Sequence, residues 1–427
     1  MLLHKSKNLP AHLWQRERKR TGAPLGERRN RQNRLLPSTI IKNRRIWGKG
    51  RRFSGQFQVE NIGQVIESEL QVIAFDSQLY HQVCRNVAKT VKLFSVKAEQ
   101  LLSTDSEATQ VIGYPTAGQK RNVAVVNSLH HLRRIVLNQL SSAQSEGDKQ
   151  PEFKFQSAFS PERSQPAVEA VAALLDSCDG TLNLMACAIQ PLLQSVDDAI
   201  AAIIDTVHQE DFSFELSQGV SDQQQCSLYM RELQTFVSRV WQDHLSVFNC
   251  RDFLFDQSSQ VARKACRLFL IHTSLVRPIG EGGRLRLAAD FAQMELAVSP
   301  LCRRLSVDLG EEYLTLRALR PLLFEQANAI VNATCVGREV PYWLAIQIII
   351  SQSSSDLPSP HSTAGWSVAR YSEWLEQHPE EIERLQFLQG TLEAYAQSVA
   401  AKNQTEYSEN YPLLLDLLKN GMKNCKA

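Results

Sequence analysis

The sequence predicts an all-α protein, built as an elongated bundle or rod of consecutive antiparallel helices. From about Val59 onward, apolar residues recur at steps of three and four, which is the period of one helix face. We find no run that alternates apolar and polar residues between turn residues, as the strands of a half-buried sheet would. The connections between periodic stretches are short, which favours packing of consecutive helices side by side.

The first 52 residues differ in composition from the rest of the chain. They contain sixteen Lys or Arg and two Glu, which leaves 31 basic and 43 acidic residues in 53–427. Prolines, glycines and arginine clusters interrupt any apolar period, so 1–52 is predicted to be a basic, disordered arm. A targeting peptide, a nucleic-acid arm, an anionic-membrane arm and an alternative N-terminus all remain open for it. The acidic body argues against nucleic-acid binding spread over the whole chain.

Three further regions follow the arm. Residues 57–142 are predicted to form an N-terminal helical segment, and the polar residues 143–165 a linker or long loop. A C-terminal helical rod is predicted over 166–424. It opens with one long helix over 166–208, whose apolar residues step by threes and fours without a miss. Pro191 is expected to bend this helix, because proline removes one backbone hydrogen bond.

Further helices are predicted in the rod, several of them opening with polar caps and acidic first turns. None of the apolar stretches is predicted to span a membrane. The run Trp343–Ile350 is much shorter than the roughly 20 residues a bilayer requires, and aspartates interrupt the long helix. The predicted helices cover about 222–248, 256–277, 284–307, 311–331, 341–352, 366–377, 379–402 and 408–424.

The cysteines and histidines give no sign of a disulfide framework or a metal site. The nine cysteines are scattered without a Cys-x-x-Cys spacing, which is typical of free thiols buried on apolar helix faces. The ten histidines show no metal-ligand spacing, and the adjacent pair His130 and His131 would point about 100° apart on a helix. The sequence therefore predicts no metal, no cofactor, no small-molecule substrate and no catalytic cluster.

The most informative stretch of the chain is a glycine turn between two helices. Pro278, Gly280, Gly282 and Gly283 cannot continue a helix, so they are predicted to form a structural turn. A glycine-rich loop before a helix can also cradle a phosphate. We disfavour that alternative because no Gly-Lys-Ser/Thr follows, no strand is predicted before the loop, and Glu281 adds negative charge.

Four residues near the predicted helix over 366–377 are candidates for a partner-binding patch: Trp366, Arg370, Tyr371 and Trp374. On a helix Arg370 and Trp374 lie one turn apart, so a cation–π pair is expected between them. Helix packing at the end of the rod is the simpler interpretation. Aromatic and arginine anchors that bind a partner are the other interpretation.

Several sequence blocks carry a resemblance to a known family. They are Val87–Val91, Ser95–Thr104, Gln110–Gly113, Gly118–Leu129, His208–Phe212, Cys226–Met230, Arg277–Glu295, Leu319–Phe324, Trp366–Leu375 and Leu392–Val399. Over about 57–422 these blocks resemble, in the same order, the C-terminal part of subunit five of the conserved oligomeric Golgi complex. The resemblance does not extend into the basic arm, so we expect the family's N-terminal part to be absent, with the arm in its place.

The resemblance implies a non-enzymatic subunit with the helical-rod fold of multisubunit tethering complexes. It implies a peripheral complex on the cytosolic face of the Golgi membrane, which tethers vesicles in intra-Golgi retrograde transport. The implied partners are the other subunits of that complex, especially subunit seven. An alternative is a helical scaffold whose basic arm binds nucleic acid or anionic membrane, and such binding should weaken steeply with salt.

Overall fold

The computed structural model describes residues 54–72, 79–142, 164–215, 226–353, 357–402 and 406–425. In these ranges the regular structure is helical, and the only β-type pairing is an isolated bridge between Val336 and Val340. The all-α fold class predicted from the apolar period is therefore confirmed. The predicted arm 1–52 lies outside the described residues, as does the predicted linker apart from its last two positions, which belong to a helix.

Fifteen α-helices occur in the described ranges, joined by turns that include two short 3-10 segments, Thr206–Gln209 and Ser299–Leu301, and one π turn, Trp241–Leu245. The helices are α1 Ser54–Val72, α2 Tyr80–Glu99, α3 Ala117–Ser142, α4 Ser164–Asp205, α5 Leu228–Val240, α6 Arg251–Ser274, α7 Glu281–Val298, α8 Leu305–Asp308, α9 Glu311–Leu322, α10 Ala327–Val331, α11 Tyr342–Gln352, α12 Pro360–Thr363, α13 Val368–Gln377, α14 Glu381–Ala401 and α15 Tyr411–Asn424.

The 42-residue helix α4 joins two hydrophobic clusters and includes Pro191 in its interior. Its N-terminal half, through Leu174 and Cys178, packs with α1, α2 and α3 in the smaller cluster. Its C-terminal half, through Met185 and Ile200, enters the larger cluster that holds the rest of the described helices together. From Cys178 to Val207 most of the apolar stripe predicted over 166–208 lies in the core, whereas at its start Val168 is 58% exposed and the buried positions are Ala170 and Leu174.

The same helix is the one described segment whose length and composition would allow it to cross a membrane, over Val168–Gln209. The core helix of a soluble protein can have the same length and composition. Side chains along its stripe, among them Val196 and Ile200, are fully buried against neighbouring helices. This burial favours the predicted role as a core helix.

Helix α6 begins earlier than its polar sequence signal suggested. A start was predicted at about residue 256, where Asp-Gln-Ser-Ser resembles a cap, yet the helix begins at Arg251. The reason is packing, because Leu254 is fully buried and extends the apolar face by one turn. The stretch predicted as one helix over 311–331 is divided into α9 and α10.

All nine cysteines are free thiols, as predicted. Two of them, Cys187 and Cys425, are exposed, which differs from the expected burial. Burial raises the pKa of the Cys84 and Cys178 thiols to about 11, so these two groups are protonated and unreactive at neutral pH. The other buried thiols are those of Cys250, Cys266 and Cys302.

Candidate functional site: the glycine turn and the aromatic cluster

The glycine turn is built against an extended segment that follows α4. Helix α6 ends at Ser274, and the chain passes through a cis peptide bond before Pro278 to Gly280, which adopts extended backbone angles as the cap of α7. The Gly280 N–H donates to the Phe212 carbonyl at 2.8 Å, and the Gly282 N–H donates to the Phe214 carbonyl at 3.1 Å. Residues 212–214 therefore satisfy N–H groups that a helix start normally leaves without partners.

The structure corrects the reason for which these glycines are needed. They were predicted to end helical structure, but Gly282 and Gly283 lie inside the first turn of α7, and their φ angles are not positive. A Cβ atom at Gly283 would overlap the Phe212 carbonyl, and one at Gly282 would overlap the Phe214 ring. The glycines are thus required by the close approach of the 212–214 backbone to α7.

The same geometry argues against a phosphate cradle. Two of the N–H groups that could hold an anion already donate to carbonyl oxygens of Phe212 and Phe214. The N–H of Glu281 points toward the Glu215 carboxylate, with its nitrogen 3.4 Å from the Oε2 atom. Carboxylates at this position repel an anionic ligand.

A buried carboxylate in α7 fixes the start of α5. Asp290 is fully buried and accepts hydrogen bonds from the Ser227 N–H at 2.7 Å, the Ser227 hydroxyl at 2.6 Å and the Tyr229 hydroxyl at 3.0 Å. Burial raises the pKa of Asp290 to about 6, although these donors oppose the shift. Three separate sequence blocks that carry the family resemblance, around residues 212, 227 and 290, therefore meet through α7.

The candidate partner patch divides into a buried part and a surface part. Tyr371 is only 1% exposed and its ring packs on Phe387 at 5.1 Å, so it belongs to the core. Trp366 and Trp374 are half-buried, with ring centroids 6.3 Å apart. The exposed Arg370 guanidinium lies 4.8 Å from the centre of the Trp366 ring, and not over Trp374 as the spacing had suggested.

An arginine that the sequence did not single out anchors this region. Arg384, at 5% exposure, donates to the carbonyl oxygens of Leu375 and His378 and so caps the C-terminal end of α13. Its guanidinium also lies 4.3 Å from the centre of the Trp343 ring in α11. Burial lowers the pKa of Arg384 to about 10, which leaves it charged at neutral pH. No local spacing signals this role, because its partners lie on other helices.

A second group missed in the sequence consists of Asp205, His208 and His272. These residues come from the end of α4, the following 3-10 turn and the last turn of α6. The His208 Nε2 and His272 Nδ1 atoms are 3.0 Å apart. Burial lowers the pKa of both imidazoles, that of His272 to about 4, so both rings are neutral at neutral pH. A separation of 64 residues between the histidines hid this group from any spacing argument.

The fold, the glycine turn and the buried Asp290 and Arg384 together define a class of protein. It is an all-α protein in which these residues fix the packing of the helices. Comparison with curated proteins gives conserved oligomeric Golgi complex subunit 5 of Mus musculus, 47% identical over 373 residues. The same subunit of Drosophila melanogaster is 28% identical over 375 residues, and that of Arabidopsis thaliana 25% over 372 residues. Most of this chain is therefore homologous to conserved oligomeric Golgi complex subunit 5, which confirms the resemblance read from the sequence blocks.

The homologous region is a part of a longer protein in each relative. The matches cover 87%, 86% and 84% of this chain, but only 42%, 47% and 41% of the mouse, fly and plant proteins. The chain thus spans less than half the length of the curated relatives that it matches. No family model matches the chain. No solved structure matches it either.

Proposed function

We propose that this chain is a non-catalytic, helical subunit of a Golgi vesicle-tethering complex. The observation that carries the proposal is the 47% identity to conserved oligomeric Golgi complex subunit 5 over most of the chain. The proposed activity is vesicle tethering in intra-Golgi retrograde transport, on the cytosolic face of the Golgi membrane. The proposed partners are other subunits of the same complex, with subunit seven first among them.

The geometry of the described residues supports a packing role for the blocks that carry the family resemblance. Phe212 pairs with the glycine turn, and Ser227 and Tyr229 bond to Asp290. Each of these groups is used to hold one helix against another. Such an arrangement suits a subunit that presents a rigid surface to its partners.

We propose Trp366, Trp374 and Arg370 as part of that surface. The two indole rings are half-buried and therefore fixed in place, while Arg370 is exposed beside Trp366. Tryptophan and arginine are the residue types that most often dominate the affinity of an interface. Because these contacts depend on packing and not on net charge, binding should survive moderate salt.

The test combines localisation with a matched pair of variants. A fluorescently tagged full chain should colocalise with Golgi markers in cultured cells, and a chain lacking 1–52 should do the same. Trp366→Ala and Trp374→Ala should reduce recovery of subunit seven at least tenfold, since anchors of this kind are each worth about 2 kcal/mol or more. Tyr114→Ala removes an aromatic side chain that is 85% exposed elsewhere, and it should leave recovery unchanged.

Two results would contradict the proposal. The first is that the chain lacking 1–52 no longer localises to the Golgi, and that moderate salt releases the full chain from its partners. This result would favour the basic arm as the binding element. The second is that both tryptophan variants keep their helical circular dichroism and still recover as much subunit seven as the wild type does. The contact with the partner would then not involve Trp366 or Trp374.

A further inference from the structure

Asp205, His208 and His272 present three metal-ligating atoms to one point. Asp205 is the last residue of α4 and His208 follows three residues later, so both side chains lie on the same side of the chain. His272 reaches the same point from the last turn of α6. Its Nδ1 atom lies 3.0 Å from His208 Nε2 and 3.7 Å from Asp205 Oδ1, and one ligand atom from each residue lies within 4.8 Å of the others.

These separations fit a tetrahedral zinc ion. Zinc binds imidazole nitrogen and carboxylate oxygen at about 2.0–2.2 Å, which places neighbouring tetrahedral ligand atoms about 3.4 Å apart. The two measured edges of the triangle, 3.0 and 3.7 Å, lie on either side of that value. One ligand atom from each residue lies within 4.8 Å of the other two, so the side chains would have to close in slightly around an ion.

The surroundings favour a metal over a simple hydrogen-bonded cluster. His272 is 4% exposed and is therefore held in one orientation, whereas Asp205 is exposed and His208 half-buried. His208 also lines a cavity of about 330 Å³, which gives an ion and a water molecule a path to the site. Two imidazoles and one carboxylate suit zinc among the divalent cations, whereas magnesium and calcium prefer all-oxygen sites.

We propose that Asp205, His208 and His272 bind one zinc ion, with a water molecule as the fourth ligand. The ion would replace the hydrogen bond between the two imidazoles, and each neutral ring would keep its one proton on the nitrogen that faces away from the ion. It would tie the 3-10 turn after α4 to the end of α6. The chain that leaves this turn caps α5 through Glu210, whose carboxylate accepts the Leu228 N–H at 2.7 Å, and then pairs with the glycine turn. Zinc would therefore stabilise the junction on which α5 and α7 depend.

The test uses the purified full chain, stripped of metal with a chelator and titrated with zinc chloride by calorimetry. We expect one zinc ion per chain with micromolar or tighter affinity, and a higher melting temperature in its presence. Cobalt chloride should give the intense visible absorption of a four-coordinate site. The chain overturns the proposal if it shows no saturable zinc binding at micromolar concentration.

Variants locate the ion. Asp205→Asn changes an exposed residue and His208→Gln a half-buried one, so both variants should fold, and each should weaken zinc binding tenfold or more. Asp198→Asn, which alters a different acidic side chain of α4, should bind zinc as the wild type does. Zinc binding that is unchanged in both Asp205→Asn and His208→Gln would place the ion elsewhere and overturn the proposal. The cobalt spectrum of the wild type tests the coordination directly. The weak visible absorption of a six-coordinate cobalt ion would contradict the proposed four ligands.

Discussion

At Gly283 the absence of a side chain allows the backbone of 212–214 to lie against α7. The Phe212 carbonyl occupies the space that a Cβ atom would need. The opposite case is Gly180 in α4, where an added Cβ would meet no atom within 4 Å apart from those of its neighbours in the chain and of its own helix backbone. Two helical glycines of the same chain therefore differ in the reason for their presence.

Alanine substitutions at these two glycines should shift stability in opposite directions. Gly283→Ala should lower the free energy of unfolding by about 1–3 kcal/mol, because backbone must move to admit the methyl group. Gly180→Ala should raise it by roughly 0.5–1 kcal/mol, since alanine is the better helix former and meets no neighbour. Urea unfolding followed by circular dichroism measures both. Equal effects in the two variants would contradict the proposed close approach.

The buried Asp290 should give the wild type a specific pH dependence. An unfolded Asp carboxyl has a pKa of about 4, whereas burial raises the pKa of Asp290 to about 6. Between these pH values the folded state keeps a proton that the unfolded state has lost, so the free energy of unfolding falls as pH rises. For this one group the fall is on the order of 2–3 kcal/mol.

The variant Asp290→Asn should lose that contribution. Its free energy of unfolding, measured in urea between pH 4 and pH 6.5, should decline less steeply than that of the wild type. The difference between the two curves isolates Asp290 from all other titrating groups. Parallel curves would show that the carboxyl group titrates as it does in the unfolded chain.

At the scale of the element, the helices of this chain could be predicted from local pattern. The three- and four-residue period located the long helix α4 to within a few residues, because one continuous apolar stripe must be buried. The start of α14 after His-Pro-Glu-Glu was also predicted, since acidic residues favour a first turn. These signals lie within a single segment of chain.

The candidate site was predicted only where the signal was local. The glycine turn was located, but its cause lies in residues 212–214, more than sixty positions earlier, which no spacing argument can pair with it. Tyr371 and Trp374 share one helix, yet the neighbouring α14 decides that Tyr371 is buried. Arg384 and His272 were missed for the same reason, because their partners lie on other elements.

Arg384 offers a test of how elements are joined. Arg384→Met keeps most of the apolar length but removes the donors to Leu375 and His378, so it should cost about 2–4 kcal/mol in the free energy of unfolding. The matched control is Arg370→Met, where an exposed guanidinium loses one ring contact worth about 0.5–1 kcal/mol. Chemical denaturation of both variants gives the comparison. A smaller loss at Arg384 than at Arg370 would contradict its role as an anchor.

At the scale of the whole molecule, the arm 1–52 and the helical body differ in charge. The chain carries a formal net charge of +2, but basic residues exceed acidic ones by 16 to 2 in 1–52, whereas acidic residues exceed basic ones by 43 to 31 in 53–427. The body is also the part in which residues of the family-like blocks contact one another across helices. If the chain has the proposed function, we expect partner binding to use the helical body, and not the arm.

The most direct measurement is affinity purification of the tagged full chain from cultured cells, with identification of the co-purifying proteins. The washes should be divided between physiological salt and about 0.5 M salt, at which exposed charges farther apart than a few ångströms are screened. The account predicts that other subunits of the conserved oligomeric Golgi complex, subunit seven among them, are recovered at both salt concentrations and also with a chain lacking 1–52. Recovery of none of these subunits, or their loss on deletion of 1–52, would contradict it.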